Sequence, residues 1–335
     1  MRLGLIGLGR IGAFHAATLT ALPQVSSLVV TDVVADVADK ISADLGVETA
    51  ASPEALFDSG LDGVVIAAAT AAHPQLLLAA AKAGLPTFCE KPLAGIITEG
   101  LDTARRLAET GATVQIGYPR RFDAGFGAAR AAVVSGQLGR VHTVRSTTLD
   151  PAPPPRAYLE NSGGIFRDCS VHDFDAIRWV SGREVVSVYA TGSTRGDAVF
   201  SDHADPSTAA IILTLDDDTC ALVSNTRYNP RGYDVRLEIH GTRDSIAAGL
   251  EDRLPLRSVE PGTVFPAGVP HESFMDRFAD AFRAELAAFT DVVAGTRPSP
   301  CTASDAMETG WVAEAATLSR AHNRPVDIAE IREAL

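Results

Sequence analysis

Short apolar runs alternate with amphipathic segments along the first third of the chain. The runs are continuous and rich in β-branched residues, as expected for strands that are buried on both faces. We predict strands at residues 2–6, 27–31, 63–68, 86–89 and 113–116. The segments between them predict helices at residues 11–22, 35–45, 74–83 and 98–109. Because a helix between two strands makes a crossover connection, this pattern predicts a parallel sheet with helices on both faces.

Beyond about residue 117 the pattern changes to runs that alternate or are β-rich, with few helices between most of them. They lie at residues 141–148, 185–191, 208–215, 220–226 and 235–240. Such runs favour a mainly antiparallel sheet, with a hairpin turn at 216–218 and a proline-rich loop or lid at 151–155. Apolar residues at three- and four-residue intervals predict a helix over 274–293, and Thr302 with Asp305 indicates a capping box before another. We therefore expect two domains, 1–118 and 119–335.

Composition narrows the class of protein. With 335 residues, 46% hydrophobic and 21% charged, the chain is typical of a soluble globular protein, and no apolar run is long enough to span a membrane. The net charge of −13 argues against a nucleic-acid partner, which would need a concentrated basic face. The scattered cysteines form no zinc or disulfide pattern, so we expect no metal site. Without a recognisable export signal, we expect a cytoplasmic protein.

A glycine-rich loop follows the first predicted strand. Gly7, Gly9 and Gly12 form a GxGxxG pattern that opens a helix, and Asp32 closes the second strand 20 positions beyond Gly12. In dinucleotide-binding folds these glycines permit a tight turn, close approach of the pyrophosphate and helix packing, while the acidic residue binds the adenosine ribose. The helix N-terminus then favours the pyrophosphate charge. This context predicts a nicotinamide dinucleotide site at the N-terminus.

The type of dinucleotide follows from the residues around this loop. Asp32 would repel the 2′-phosphate of NADP, and Val33 after it supplies no positive charge, so NAD is favoured. Arg10 and Ile11 lie in the loop itself and belong to the predicted cofactor site. Because Arg10 could turn towards a phosphate, NADP stays open as the less favoured cofactor.

Candidate catalytic and cofactor residues also lie where later strands of this half end. Glu90 and Lys91 precede Pro92 directly after the fourth strand, and open α/β sheets bind ligands at the carboxyl ends of their strands. At another place in the chain, a neighbouring Glu and Lys would be interpreted as a solvated surface pair. The Lys91–Pro92 peptide bond at such a turn can be cis. The segment after the third strand adds three cofactor candidates, Ala69, Thr70 and His73. A structural role would explain His73 equally well.

A second constellation lies in the other half, in the segment SGGIFRDCSVHDFD. On a helix Asp168 and His172 are four residues apart and share one face. An acid beside a histidine suits a proton relay, in which the imidazole takes the proton of an alcohol. By itself the spacing is more typical of a helix-surface pair.

Taken together, these motifs resemble the Gfo/Idh/MocA oxidoreductase family over nearly the whole chain. The resemblance rests on GLGRIG, ATAAHP, FCEKP, GYPRRFD, SGGIFRDCSVHDFD, GYD and the C-terminal FMDRFADAFRAELAAF and RPSPCTASDA. It implies a Rossmann NAD-binding domain followed by an α+β domain with a large, mainly antiparallel sheet that often serves dimer or tetramer contacts. It also implies a catalytic set of Lys91, Asp168 and His172.

Within the family the sequence is most similar to the inositol 2-dehydrogenases. The resemblance thus implies oxidation of a secondary hydroxyl of a cyclitol or sugar to a ketone, with myo-inositol as the first choice. Pro119 and the 151–155 loop depart from the inositol enzymes and put the substrate in doubt. We predict that substrate contacts come from the catalytic set and from Arg121, Asp150, Asn161 and Tyr233. An aldose, aminocyclitol or keto-sugar oxidoreductase, and a non-catalytic dinucleotide-binding regulator, are the alternatives.

Overall fold

The computed structural model describes residues 1–334 and divides into two compact units. Unit 1 comprises Met1–Tyr118 and Phe282–Glu308, and unit 2 comprises Pro119–Ala281 with the chain from Thr309 onward. The predicted division after residue 118 differs from this one in a single segment, because Phe282–Glu308 returns to unit 1. No helix among residues 1–334 is long and apolar enough to cross a membrane.

Unit 1 contains a six-stranded sheet in which every pair of neighbours is parallel. Its strands are β1 Arg2–Ile6, β2 Ser27–Thr31, β3 Glu48–Thr49, β4 Gly63–Ile66, β5 Thr87–Glu90 and β6 Val114–Gly117. Their order, β3-β2-β1-β4-β5-β6, is that of the doubly wound dinucleotide-binding fold, which confirms the predicted class. The strand order reverses between β1 and β4, where such folds bind their ligand.

The helices of unit 1 alternate with its strands, as predicted. They are α1 Arg10–Ala21, α2 Ala35–Leu45, α3 Pro53–Phe57, α4 His73–Lys82 and α5 Ile97–Thr110. The core beneath α1 joins Leu3 and Leu5 of β1 to Leu286 and Phe289, which come from the returning segment. These apolar contacts explain why that segment belongs to unit 1.

Unit 2 contains a seven-stranded mixed sheet. Its strands are β7 Val141–Leu149, β8 Val185–Ser193, β9 Thr208–Leu215, β10 Cys220–Thr226, β11 Asp234–Gly241, β12 Ser245–Ala248 and β13 Val326–Asp327, in the order β12-β11-β7-β10-β9-β8-β13. Only β7 and β10 pair in parallel among these described strands, so the sheet is mainly antiparallel, as predicted. The hairpin turn between β9 and β10 includes Asp218 at φ 65°.

The remaining helices are α6 Ala124–Val134, α7 Arg156–Leu159, α8 Val171–Ser181, α9 Ala198–Asp202, α10 Phe274–Arg277, α11 Ala279–Val293, α12 Ala303–His322 and α13 Ile328–Ala334. The predicted helix over 274–293 is thus two helices that meet at Phe278, whose backbone leaves the helical region at φ −111°. The predicted capping box is confirmed, because Asp305 N donates to Thr302 Oγ1 at 3.1 Å and Thr302 N donates to Asp305 Oδ2 at 2.8 Å.

Candidate functional site

The glycine loop of unit 1 lies between β1 and α1. Gly7 has φ +91°, and a Cβ there would lie 2.6 Å from the Ala68 Cα, while a Cβ on Gly12 would overlap the Gly7 carbonyl oxygen. Chain packing therefore explains both glycines. A Cβ on Gly9 would meet nothing within 4 Å, so no contact within the described chain requires that glycine. Its open space at an N-terminus that no side chain caps fits close approach of a pyrophosphate.

Asp32 directly follows β2 and accepts backbone hydrogen bonds from the glycine loop and from the turn after β2. Its Oδ2 accepts from Leu8 N at 2.6 Å and its Oδ1 accepts from Val34 N at 2.9 Å. Each carboxylate oxygen can accept a further hydrogen bond, so this fixed carboxylate suits a ribose diol. Val33 beside it is fully exposed and offers no cation. Arg10, also exposed, begins α1.

The segment after β4 carries Ala69 and a short 3₁₀ turn over Thr70–Ala72, and it leads into His73 at the start of α4. His73 is 1% exposed, with Nδ1 2.7 Å from the Pro92 carbonyl oxygen and Nε2 3.0 Å from the Ala68 carbonyl oxygen. Burial lowers the pKa of His73, and the contacts with the Pro92 and Ala68 carbonyl oxygens oppose that shift. The histidine thus has a bracing role between two loops, and its proximity to the cofactor stays a prediction.

The Glu90–Pro92 turn begins at the last residue of β5 in unit 1. Lys91 is half-buried, and the Lys91–Pro92 peptide bond is cis, an isomer that the sequence left open. Glu90 Oε1 lies 2.7 Å from Nε2 of His15, a fully buried residue of α1. Sequence reasoning missed His15, because a histidine on the buried face of a helix carries no local signal of its partner.

The second predicted constellation lies in unit 2, where α8 begins. Asp168 belongs to a π-helical turn, Phe166–Ser170, and His172 to the first turn of α8. The helix is present, but the plain α-helical spacing assumed for the two residues was wrong at its N-terminal end. A π turn forms i→i+5 bonds and often occurs at functional sites. Asp168 is 9% exposed and His172 is half-buried.

Both carboxylate oxygens of Asp168 are held by side chains that the sequence did not single out. The Tyr158 hydroxyl donates to Oδ1 at 2.6 Å, and Arg227 Nη2 donates to Oδ2 at 2.7 Å. Arg227 also donates to Asp150 Oδ2 at 2.8 Å. Burial by itself would lower the pKa of Arg227, but nearby Cys169 and the two carboxylates raise it overall, so the guanidinium stays charged.

The other predicted substrate residues have partners within unit 2. Arg121 forms a buried two-point ion pair with Asp175, with N–O distances of 2.6 and 2.9 Å. Tyr233 is 7% exposed, packs edge-on against Phe274, and has its pKa raised by burial. Asn161 is exposed and donates to the Ala157 carbonyl oxygen at 2.9 Å. These contacts give each residue a structural role, and their substrate roles stay predictions.

Comparison with known proteins identifies the family. Residues 1–118 match the model described as an oxidoreductase family with an NAD-binding Rossmann fold, and residues 126–247 match the GFO/IDH/MocA C-terminal domain. The chain belongs to the GFO/IDH/MocA oxidoreductase family. It is 38% identical over 328 residues to the myo-inositol dehydrogenase Hyg17 of Streptomyces leeuwenhoekii, covering 95% of this chain and 98% of that protein. The predicted family and enzyme class are confirmed.

Solved structures support the same fold. The myo-inositol dehydrogenase of Corynebacterium glutamicum ATCC 13032 superposes with a TM-score of 0.90 at 30% identity, covering 98% of both chains. The scyllo-inositol dehydrogenase of Lactobacillus casei with bound NAD(H) and scyllo-inositol has a TM-score of 0.86 at 28% identity, covering 98% of this chain and 99% of that one. Within residues 1–334, no group of three or more His, Cys, Asp or Glu side chains is arranged to hold a metal ion.

Proposed function

We propose that this oxidoreductase uses NAD to oxidise a secondary hydroxyl of a cyclitol to a ketone, with myo-inositol as the first candidate substrate. The observation that carries the proposal is similarity over nearly the full length to proteins named as myo- and scyllo-inositol dehydrogenases. Sugar and aminocyclitol oxidoreductases of the same family are the second candidate, because departures such as Pro119 lie in the unit expected to bind substrate. A regulator without turnover would have no need for the Lys91, Asp168 and His172 set.

The residues around the glycine loop fit a bound dinucleotide. Gly9 leaves space at the uncapped N-terminus of α1, and Asp32 presents its carboxylate where the ribose of NAD would bind. When bound, NAD supplies the acceptor for the hydride. The set proposed to line this site is completed by Gly7, Arg10, Ile11, Gly12, Val33, Ala69, Thr70, His73, Glu90 and Lys91.

The protein's own groups would move and stabilise the proton and the charge. We assign His172 to accept the proton of the reacting hydroxyl and Lys91 to donate a hydrogen bond to the same oxygen as it becomes negative. Asp168, fixed by Tyr158 and Arg227, would hold the histidine in its working orientation.

A substrate panel followed by NADH absorbance tests the function. The wild-type protein should reduce NAD with myo-inositol or scyllo-inositol, and Lys91→Ala and His172→Ala should each lower kcat by at least about 100-fold. Lys82→Ala, an exposed lysine of α4, is the matched control and should keep wild-type activity. Turnover only with pyranoses would favour the second candidate. Near-wild-type activity of both variants would refute the catalytic roles.

Cofactor preference has its own test at Asp32. Removing the carboxylate in Asp32→Ser should shift the ratio of kcat/KM values towards NADP by about tenfold, equivalent to about 1.4 kcal/mol. Asp36→Ser, which removes an exposed carboxylate of α2, should leave the ratio unchanged. An unchanged ratio in Asp32→Ser would show that this carboxylate does not select the cofactor.

A homo-oligomer, a dimer or tetramer, forms part of the proposal. One face of the unit 2 sheet is exposed along alternate residues of β9 and β10, and Ile212 and Leu222 are cross-strand neighbours there at 46% and 39% exposure. A second copy of this face would cover the apolar pair. Ile212→Glu should lower the mass measured by light scattering, whereas Val134→Glu, at an exposed site on α6, should not.

The proposed location is the cytoplasm. All four cysteines are free thiols, and three of them are buried. Free thiols suit a reducing compartment, where disulfides rarely persist.

A further inference from the structure

A buried histidine lies beside the Glu90–Pro92 turn without taking part in the proposed chemistry. His15 is fully buried in α1, and its Nε2 is 2.7 Å from Glu90 Oε1. The ring is otherwise surrounded by aromatic side chains, with centroids of Phe88, Phe282 and Phe14 at 5.7, 5.9 and 6.2 Å. Its Nδ1 has no hydrogen-bond partner among residues 1–334. Glu90 is thus the polar group to which the ring is directed.

Packing alone does not explain this pair. A leucine or phenylalanine would fill an aromatic cage without the desolvation cost of a buried imidazole and a carboxylate that is 15% exposed. The contact therefore indicates a requirement for the position of Glu90 itself. Glu90 is also the last residue of β5, where its neighbour Lys91 leaves the sheet.

The other neighbour of Lys91 is held in the same way. His73 of α4 contacts the Pro92 carbonyl oxygen at 2.7 Å and is 1% exposed. The residues before and after Lys91 are thus each bound by a buried histidine, and these come from two different helices of unit 1. The buried thiol of Cys89 is a further titratable group beside this turn. Burial raises the pKa of this thiol, so it stays neutral.

We infer that His15 is a positioning residue for Lys91, acting through the carboxylate of Glu90. The hydrogen bond from His15 holds the Glu90 carboxylate against α1. The carboxylate charge therefore acts on the Lys91 ammonium from one fixed position. Without this donor the carboxylate would turn towards Lys91 and stabilise its charged form. The inference rests on the proposed function for the importance of Lys91, but the contact and its test do not require a known substrate.

Lysine labelling gives a direct test, because the chain contains three lysines, Lys40, Lys82 and Lys91. Lys40 and Lys82 are exposed and serve as internal references in competitive acetylation of the full chain with trace acetic anhydride, read by mass spectrometry. His15→Leu should slow acetylation of Lys91 relative to the references by at least about threefold, the change that half a pKa unit produces. His15→Gln, whose amide can donate to Glu90, should stay near wild type.

A double-variant comparison shows whether His15 acts through Glu90. Glu90→Gln should speed acetylation of Lys91, because a neutral amide no longer stabilises the ammonium. His15→Leu made in the Glu90→Gln background should cause no further change. An unchanged or faster Lys91 reaction in His15→Leu, or an equal effect in both backgrounds, would overturn the inference.

Further readouts separate positioning from a purely structural role. A structural role alone would lower the unfolding temperature of His15→Leu while leaving the Lys91 labelling ratio at its wild-type value. If His15→Leu does not fold, His15→Met, also without a donor, takes its place. If the wild-type protein reduces NAD with no cyclitol, the proposed function fails, whereas the labelling ratio still decides the role of His15.

Discussion

Replacing Arg227 by leucine removes one guanidinium that binds two carboxylates of unit 2. Arg227 donates to Asp168 at 2.7 Å and to Asp150 at 2.8 Å. The three side chains are 5%, 9% and 21% exposed, respectively, so water cannot fully replace the lost donors. Asp168 would keep the hydrogen bond from Tyr158, and Asp150 would reach solvent in part.

The loss of stability in Arg227→Leu follows from the burial of its ion pairs with Asp168 and Asp150. Breaking a buried ion pair by removing one partner costs about 3–5 kcal/mol, and the partial exposure of Asp150 places this case near about 3 kcal/mol. At about 2–4 °C per kcal/mol for a unit of this size, unfolding should shift down by about 6–12 °C. Because Asp168 also loses one of the two side chains that hold its carboxylate, we expect kcat to fall at least about tenfold.

Calorimetry and NADH-linked kinetics measure the two effects. Arg227→Lys keeps the charge but cannot present a planar fork to two carboxylates, so its loss should be intermediate. Arg156→Leu is the matched control, because Arg156 and Glu160 form an exposed pair, at 58% and 38% exposure, whose attraction is screened by solvent. If Arg227→Leu unfolds within about 2 °C of the control, the two-carboxylate bridge does not stabilise unit 2 as argued.

Two further predictions concern the glycine loop and a partly buried acid. Gly12→Ala would place a Cβ on the Gly7 carbonyl and should lower the unfolding temperature. The Cβ of Gly9→Ala meets nothing within 4 Å, so this variant should keep its unfolding temperature but bind NADH about tenfold or more weakly in a fluorescence titration. Equal stability of the two variants would contradict this. Burial raises the pKa of Asp205 above its ordinary value of 3.8, and the Asp205 Oδ2 atom has no hydrogen-bond partner in the described chain. The contribution of Asp205 to stability is therefore fully present below pH 3.8 and is lost as the pH rises through the raised pKa. Asp205→Asn should therefore gain stability over wild type between pH 4 and 7 in a thermal series, and a pH-independent difference would refute it.

The parallel sheet of unit 1 could be predicted because its signals are local. Each main strand is a continuous apolar run that ends at a turn, and the GxGxxG pattern joins the first of them to α1. The strand β3, Glu48–Thr49, was missed because two exposed residues carry no periodicity. Its position in the sheet comes from pairing with β2, which is a long-range contact.

The return of residues 282–308 to unit 1 shows the limit of an amphipathic pattern. The spacing of Leu286 and Phe289 predicts correctly that one face of the helix is buried, and both residues are fully buried. It contains no information on which core receives them. In this chain the receiving core includes Leu3 and Leu5, more than 250 positions earlier in the sequence.

The bridge that Arg227 makes between Asp168 and Asp150 was missed for a related reason. Arg227 and Asp150 follow the ends of β10 and β7, and the parallel register pairs Thr226 with Leu149, so the two next residues leave the sheet at the same edge. The sequence predicted both strands within a mainly antiparallel sheet, but it did not indicate which pair is parallel. In an antiparallel pair the ends of these two strands would lie at opposite edges. The arginine that holds the candidate catalytic acid therefore depends on one parallel pair in a mainly antiparallel sheet.

The histidines show most clearly why site prediction needs burial as well as sequence. His73 was noticed because it follows a strand, and His15 was not noticed at all, yet each is bonded to a residue that flanks Lys91. A catalytic histidine must reach a substrate, which a ring that is fully enclosed by phenylalanines cannot do. Burial therefore keeps both from contacting a substrate, whereas His172, which we propose as the proton acceptor, is half-buried. Glu90 and Pro92, which flank the lysine predicted from a three-residue motif, thus each contact a histidine from a different helix.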